Sequence, residues 1–157
     1  WIQDQTGDFM IWAGGLKYEL TEDGIPHRIG NTMIRLIPGK PLEHIYQKQL
    51  LPSYDIFDEE KYFTAGDENG IIEWKGKKIG LLICEDMWAS SFHHKDPCQE
   101  LAESGTPLDL LINLSASPFD LSKKDKRNER AKVISLLFED SMPLPRVLPI
   151  GVPSIYN

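Results

Sequence analysis

Two short runs that are apolar almost throughout, "IGLLI" at 79–83 and "LDLLINL" at 108–114, constrain the fold more than any other feature of the chain. A strand with one wet face alternates apolar and polar residues, so runs of this kind call for a strand covered on both faces. Neither approaches the roughly 20 apolar residues that a membrane span needs. Helical patterns lie close by. "DPCQELAESG" (96–105) suits a helix with Asp96 as its N-cap and Gly105 just past its end. "SKKDKRNERAKVISLLFED" (122–140) opens polar, becomes amphipathic, and carries Ser122 as a candidate cap. Strands alternating with helices predict an α/β domain with both sheet faces covered.

The first half is richer in strands. "FMIWAGG" (9–15) reads as a short buried strand closed by its two glycines. "YELTEDG" reads as a hairpin or loop. "GNTMIRLI" (30–37) is expected to pair with "EHIYQK" (43–48) across the turn at Pro38-Gly39. "YDIFDEEKYFTAGDENG" (54–70) predicts a loop with one helical turn. "IIEWKGKKIGLLIC" predicts a hairpin, with strands 71–74 and 77–84 joined at Lys75-Gly76. Four prolines follow Asp140, at 143, 145, 149 and 153, and argue against regular structure there.

At 157 residues the chain has the length of one domain, and 41% apolar with 26% charged residues is ordinary for a soluble globular protein. A net charge of −7 argues against nucleic acid or an anionic membrane as partner, since both favour basic patches. The stretch "WIQDQTGDFM" is not a signal peptide. Two cysteines, Cys84 and Cys98, could form one bridge, but nothing in the rest of the chain resembles a disulfide framework, which makes a reducing cytoplasm the expected location.

Cys84 ends an apolar run and is followed at once by Glu85 and Asp86. A free cysteine in an apolar strand is most often a core residue. A cysteine where a strand gives way to a turn is instead exposed at the carboxyl edge of a sheet, where open α/β sheets place their sites. The turn frees backbone N–H groups to face a developing oxyanion. Spacing alone favours the core.

Three segments shift that balance. "KQLLPSYDIFDEEKYFTAG", "LLICEDMW" and "INLSASPFDLSKKDKRNER" follow one another in this order. Together they resemble the nitrilase, or carbon–nitrogen hydrolase, superfamily. They are most similar to its branch of glutamine amidotransferase domains found in glutamine-dependent NAD synthetases. The resemblance runs from about Gly14 to about Glu139. It implies a nitrilase-type αββα sandwich, a substrate amide and a Glu-Lys-Cys triad.

On that resemblance Cys84 matches the nucleophile, which would attack the side-chain amide of glutamine, expel ammonia and leave a γ-glutamyl thioester. Lys48 matches the lysine that stabilises the tetrahedral oxyanion; read from the residues alone, it is an exposed lysine ending a strand. Tyr54 matches a tyrosine of the glutamine pocket, or is an aromatic core residue. Glu59 matches an acid beside the catalytic lysine, or is surface charge. Glu85 would offer its backbone N–H to the oxyanion and its carboxylate to the α-ammonium of glutamine. Ser117 resembles a substrate-binding serine. Lys123 would meet the substrate α-carboxylate, or is a solvated helix start. Trp88 is expected to form a pocket wall, Phe57 to pack, and Cys98 to be an incidental helix residue. His93, His94 and Asp96 lack a matching ligand set for a metal.

The family's general base lies in an upstream glutamate segment, and neither Glu19 nor Glu22 has its context. The expectation is therefore a partial domain, lacking its first strand and helices and inactive alone. No Ser-Gly-Gly-x-Asp segment for ATP occurs, so ATP and magnesium are expected to act in a separate synthetase domain, with no cofactor here. That domain and a homo-oligomer are the expected partners, without nucleic acid or membrane. "VPSIYN" keeps only a trace of the family's closing strand. Alternatives are a free-standing amidase such as a carbamoylase, or an inactive nitrilase-fold assembly module.

Overall fold

The structure, a computed structural model, describes residues 9–54, 57–89, 93–116, 123–138 and 146–151, with backbone alone for 123, 124 and 146–151. It divides into two compact units, Trp1–Glu68 and Asn69–Asn157.

The first unit is an antiparallel sheet in the order β1-β2-β3, formed by Ile11–Leu20, Pro26–Leu36 and Glu43–Gln47. The β2–β3 pairing matches the sequence reading. Its turn is closed by the Lys40 N–H donating to the Ile37 carbonyl, with Pro38 and Gly39 in the middle positions. "YELTEDG" is the β1–β2 hairpin end, where Thr21 bonds Ile25 and Gly24.

The expectation for 9–15 requires correction. β1 is ten residues long and its second half is exposed, with Leu16, Tyr18 and Leu20 about half accessible. Gly14 and Gly15 lie within the strand, not at its end. A Cβ at Gly15 would approach Ile34 Cγ2 to 2.9 Å, so the glycine makes room for a neighbouring side chain. Pairing from Ile11–Leu36 to Leu20–Pro26 carries the strand through them.

Beyond β3 the chain continues against the same sheet. The Lys48 N–H donates to the Asn31 carbonyl, and the Gly66 N–H donates to the Lys48 carbonyl. The predicted helical turn is a 3-10 turn, Glu59–Lys61. Its Glu59 N–H donates to Pro52, and the Glu59 carbonyl accepts from Tyr62 and Phe63. A Cβ at Gly66 would come to 2.5 Å of the Gln47 backbone oxygen, which cannot rotate away. Gly66→Ala is therefore expected to destabilise this unit by roughly 1–3 kcal/mol, read as a lower urea midpoint. An unchanged midpoint would mean that the Gln47–Lys48 segment yields freely.

The second unit is a four-stranded sheet in the order β4-β5-β6-β7, formed by Ile71–Trp74, Lys77–Ile83, Leu110–Ser115 and Arg146–Gly151. The β4–β5 hairpin turns at Lys75 and Gly76, both at positive φ (50° and 71°), as a tight two-residue turn requires. β5, β6 and β7 are parallel. The helices α1 (Pro97–Glu103) and α2 (Lys123–Leu136) make the two crossovers, which confirms the α/β reading. Asp96 caps α1 as expected, its Oδ1 accepting from the Cys98 and Gln99 N–H groups, and Gly105 follows at φ 65°. Leu82, Met87, Cys98, Leu101, Leu108, Leu111, Ile134 and Phe138 form the core.

The region of the four prolines also departs from expectation, because Arg146–Gly151 is a strand with Pro149 opposite Asn113. Among the described strands β7 is the last of the sheet, a position at which proline is tolerated. Ser122 lies outside the described residues. Among the described residues no helix is long and apolar enough to cross a membrane.

Candidate functional site

The apolar run Ile79–Ile83 pairs residue by residue with Leu110–Leu114, so β5 is an interior strand with β4 on its other side. It ends at Ile83, one residue earlier than the sequence suggests, because Cys84 already opens a 3-10 turn, Cys84–Trp88. Cys84 has φ 47°, a left-handed conformation that costs a non-glycine residue on the order of 1–3 kcal/mol. The cysteine thus sits just past the carboxyl end of a central strand, and it is partly exposed. The core reading of Cys84 is set aside.

Side chains around the turn hold its backbone. Asp86, fully buried, accepts from the Ile83 N–H through Oδ2 at 2.9 Å. Asn113 of β6, also buried, donates from Nδ2 to the Cys84 carbonyl at 3.5 Å and lies 2.6 Å from Met87 Sδ. Its Oδ1 is buried and finds no hydrogen-bond partner among the described residues. Arg130 of α2 donates from Nε to the Met87 carbonyl at 2.5 Å. Its Nη2 lies 3.6 Å from Asp96 Oδ2.

Cys98 is not incidental. It is wholly buried, and its Sγ donates to the Asp86 carbonyl at 3.5 Å. Burial first, and the Asp96 carboxylate second, push its thiol up to about 12. The two cysteines therefore differ sharply in access.

Glu85 is buried, with Oε1 3.8 Å from Nε2 of His93. Trp88 packs on the core from the end of the turn and borders an open groove of about 450 Å³ with Asp125, Lys126, Glu129, Arg130 and Val133. β6 ends at Ser115, on the same edge as Cys84. Ser117 lies outside the described residues, as does the side chain of Lys123, whose backbone begins α2. Among the described residues no group of three or more His, Cys, Asp or Glu is arranged to hold a metal ion.

In the first unit Lys48 is not the exposed strand end that composition suggested. Its side chain is 1% exposed, and Nζ donates to Glu59 Oε2 at 2.5 Å. The 3-10 turn that presents Glu59 is itself anchored on Pro52, so the carboxylate is delivered by backbone as well as by charge. Tyr54 is half exposed, with its ring edge-on to Phe57 at 6.1 Å. It is not a core aromatic.

Sequence reasoning missed Asn113, Arg130 and the role of Cys98. Asn113 carried a signal, a polar residue inside an apolar run, whereas Arg130 sits among many charges and carried none.

Known proteins resemble the chain in sequence and in fold. Residues 5–95, more than half of the chain, match the model of a family described as carbon-nitrogen hydrolase. The chain is 33% identical over 102 residues to a glutamine-dependent NAD(+) synthetase of Synechocystis sp., covering 61% of itself and 18% of that protein. It thus spans less than a fifth of that relative's length. Among solved structures it resembles the glutamine-dependent NAD+ synthetase of Acinetobacter baumannii, with TM-score 0.68 and 25% identity over 92% of the chain and 24% of that structure. A carbon-nitrogen hydrolase from Helicobacter pylori G27 shares the fold, with TM-score 0.62 at 21% identity, over 96% of the chain and 48% of that structure.

Proposed function

Because the chain belongs to the carbon-nitrogen hydrolase family, we propose that it forms part of a domain that hydrolyses the side-chain amide of glutamine and passes the ammonia to NAD synthesis. The observation that carries this reading is Cys84, a partly exposed thiol in left-handed conformation at the end of an interior strand. The thiolate adds to the amide carbon and the carbonyl oxygen becomes an oxyanion. The intermediate collapses, the C–N bond breaks, and nitrogen leaves as ammonia after taking up a proton. Water then cleaves the γ-glutamyl thioester, releasing glutamate and restoring the thiol.

The Glu85 N–H is one oxyanion donor in this scheme. Lys48 takes the part of the family's lysine on sequence grounds, and its pairing with Glu59 supports a fixed ammonium. Glu85, Tyr54, Trp88, Ser117 and Lys123 are assigned to the substrate on the same grounds. ATP and magnesium belong to a synthetase domain of the parent protein and touch none of these steps.

The direct test supplies glutamine to the parent protein and measures glutamate and ammonia in equal amounts. Their appearance supports the reading. Turnover of carbamoyl or other small amides in place of glutamine would move the chain to a free-standing amidase. No turnover of any amide, with a correctly folded protein, would make it an assembly module.

A further inference from the structure

We propose that Arg130 is a positioning residue for the Cys84 thiol, acting with Asn113 to hold the turn that keeps Cys84 in its left-handed conformation. The inference rests on the reading of Cys84 as nucleophile. A five-residue 3-10 turn is short, and its carbonyls are open to further donors from outside it. Three of them accept from side chains on three separate elements: Cys84 from Asn113 on β6, Asp86 from Cys98 on α1, and Met87 from Arg130 on α2. The Arg130 contact is the shortest and has a charged donor, the stronger kind of hydrogen bond. The same guanidinium reaches toward Asp96, the residue that caps α1.

The arrangement explains two otherwise separate facts. A strained residue persists only where its surroundings over-determine it, and Cys84 is strained. Arg130 sits in the middle of a polar helix yet turns its guanidinium inward onto a main-chain oxygen. A residue that served only to dock α2 would need no link to the conformation of Cys84. A positioning residue does.

A thermal double-mutant cycle on the full chain separates the two roles. Cys84→Gly removes the strain, because glycine adopts positive φ freely, and is expected to raise Tm by about 2–4 °C. In an Arg130→Met background, where the turn is free to relax, the same change is expected to raise Tm by less than about 1 °C. An equal gain in both backgrounds overturns the proposal. Should Arg130→Met fail to fold, Arg130→Lys and Asn113→Ser run the same cycle.

Activity provides a second readout in the parent protein. Arg130→Met is expected to lower kcat for glutamine about 10²-fold with KM within about twofold, and Arg130→Lys to restore part of it. Full kcat in a folded Arg130→Met protein overturns the proposal. Thermal coupling in a protein that never hydrolyses glutamine would instead refute the reading of Cys84 and leave the hold on the turn supported.

Discussion

Alanine at position 84 is expected to abolish glutamine hydrolysis in the parent protein, with a loss on the order of 10⁴-fold or more in kcat. No neighbouring group replaces a covalent nucleophile, so the loss exceeds that expected at any other position. Binding of glutamine should survive, because the remaining contacts are untouched. The companion measurement is covalent. A glutamine-like diazoketone added to the unaltered protein is expected to form a single adduct, mapped by mass spectrometry to the Cys84 peptide. Cys98 is the internal control. Only thiolate reacts, and a buried thiol pushed up to about 12 supplies almost none at neutral pH. An adduct on Cys98, or turnover that persists in Cys84→Ala, removes the central assignment.

The second large effect concerns stability, and it is asymmetric. Lys48 is buried and its ammonium is paired with Glu59, which keeps 22% of its side chain exposed. Glu59→Ala leaves a buried cation without its carboxylate and is expected to cost about 3–5 kcal/mol. Lys48→Met removes the charge and keeps the volume, while Glu59 can turn toward water. Its expected cost is below about 1 kcal/mol. Urea midpoints of the two variants decide, and equal losses would mean that the pair contributes through packing alone. In the parent protein Lys48→Met should still lower glutamine turnover on the order of 10²–10³-fold, while ammonia-driven NAD synthesis stays near normal.

Much of the backbone was legible because local chemistry dictates it. Asp96 beside Pro97 gives a helix start, Lys75-Gly76 gives a tight hairpin, and an aliphatic run at 79–83 gives an interior strand. Each signal acts within a few residues. The misreadings share one cause, a tertiary neighbour overriding a local rule. Gly15 looks like a strand end until Ile34 is seen to need its space. Pro149 looks like a breaker until its strand proves to be the last of the sheet among the described residues. For the site, the position of Cys84 was readable from the run that precedes it. Its left-handed backbone was not, since nothing in "ICED" demands a positive φ. The inward turn of Arg130 joins residues 43 positions apart, and no local pattern encodes such a contact.

The outer strand that holds Pro149 bears on how copies of this chain meet one another at high concentration. Amyloid-like stacking needs an uninterrupted row of donors and acceptors along a sheet's rim, into which a strand from a second molecule can lock. Within β7, Pro149 has no N–H to give to any strand beside it. The opposite rim, β4, is four residues long and ends in the exposed pair Glu73 and Trp74. A foreign strand would meet a proline within β7 and only four residues along β4. Proline and shortness are both devices by which a sheet built around strongly aliphatic strands resists growth by strand addition.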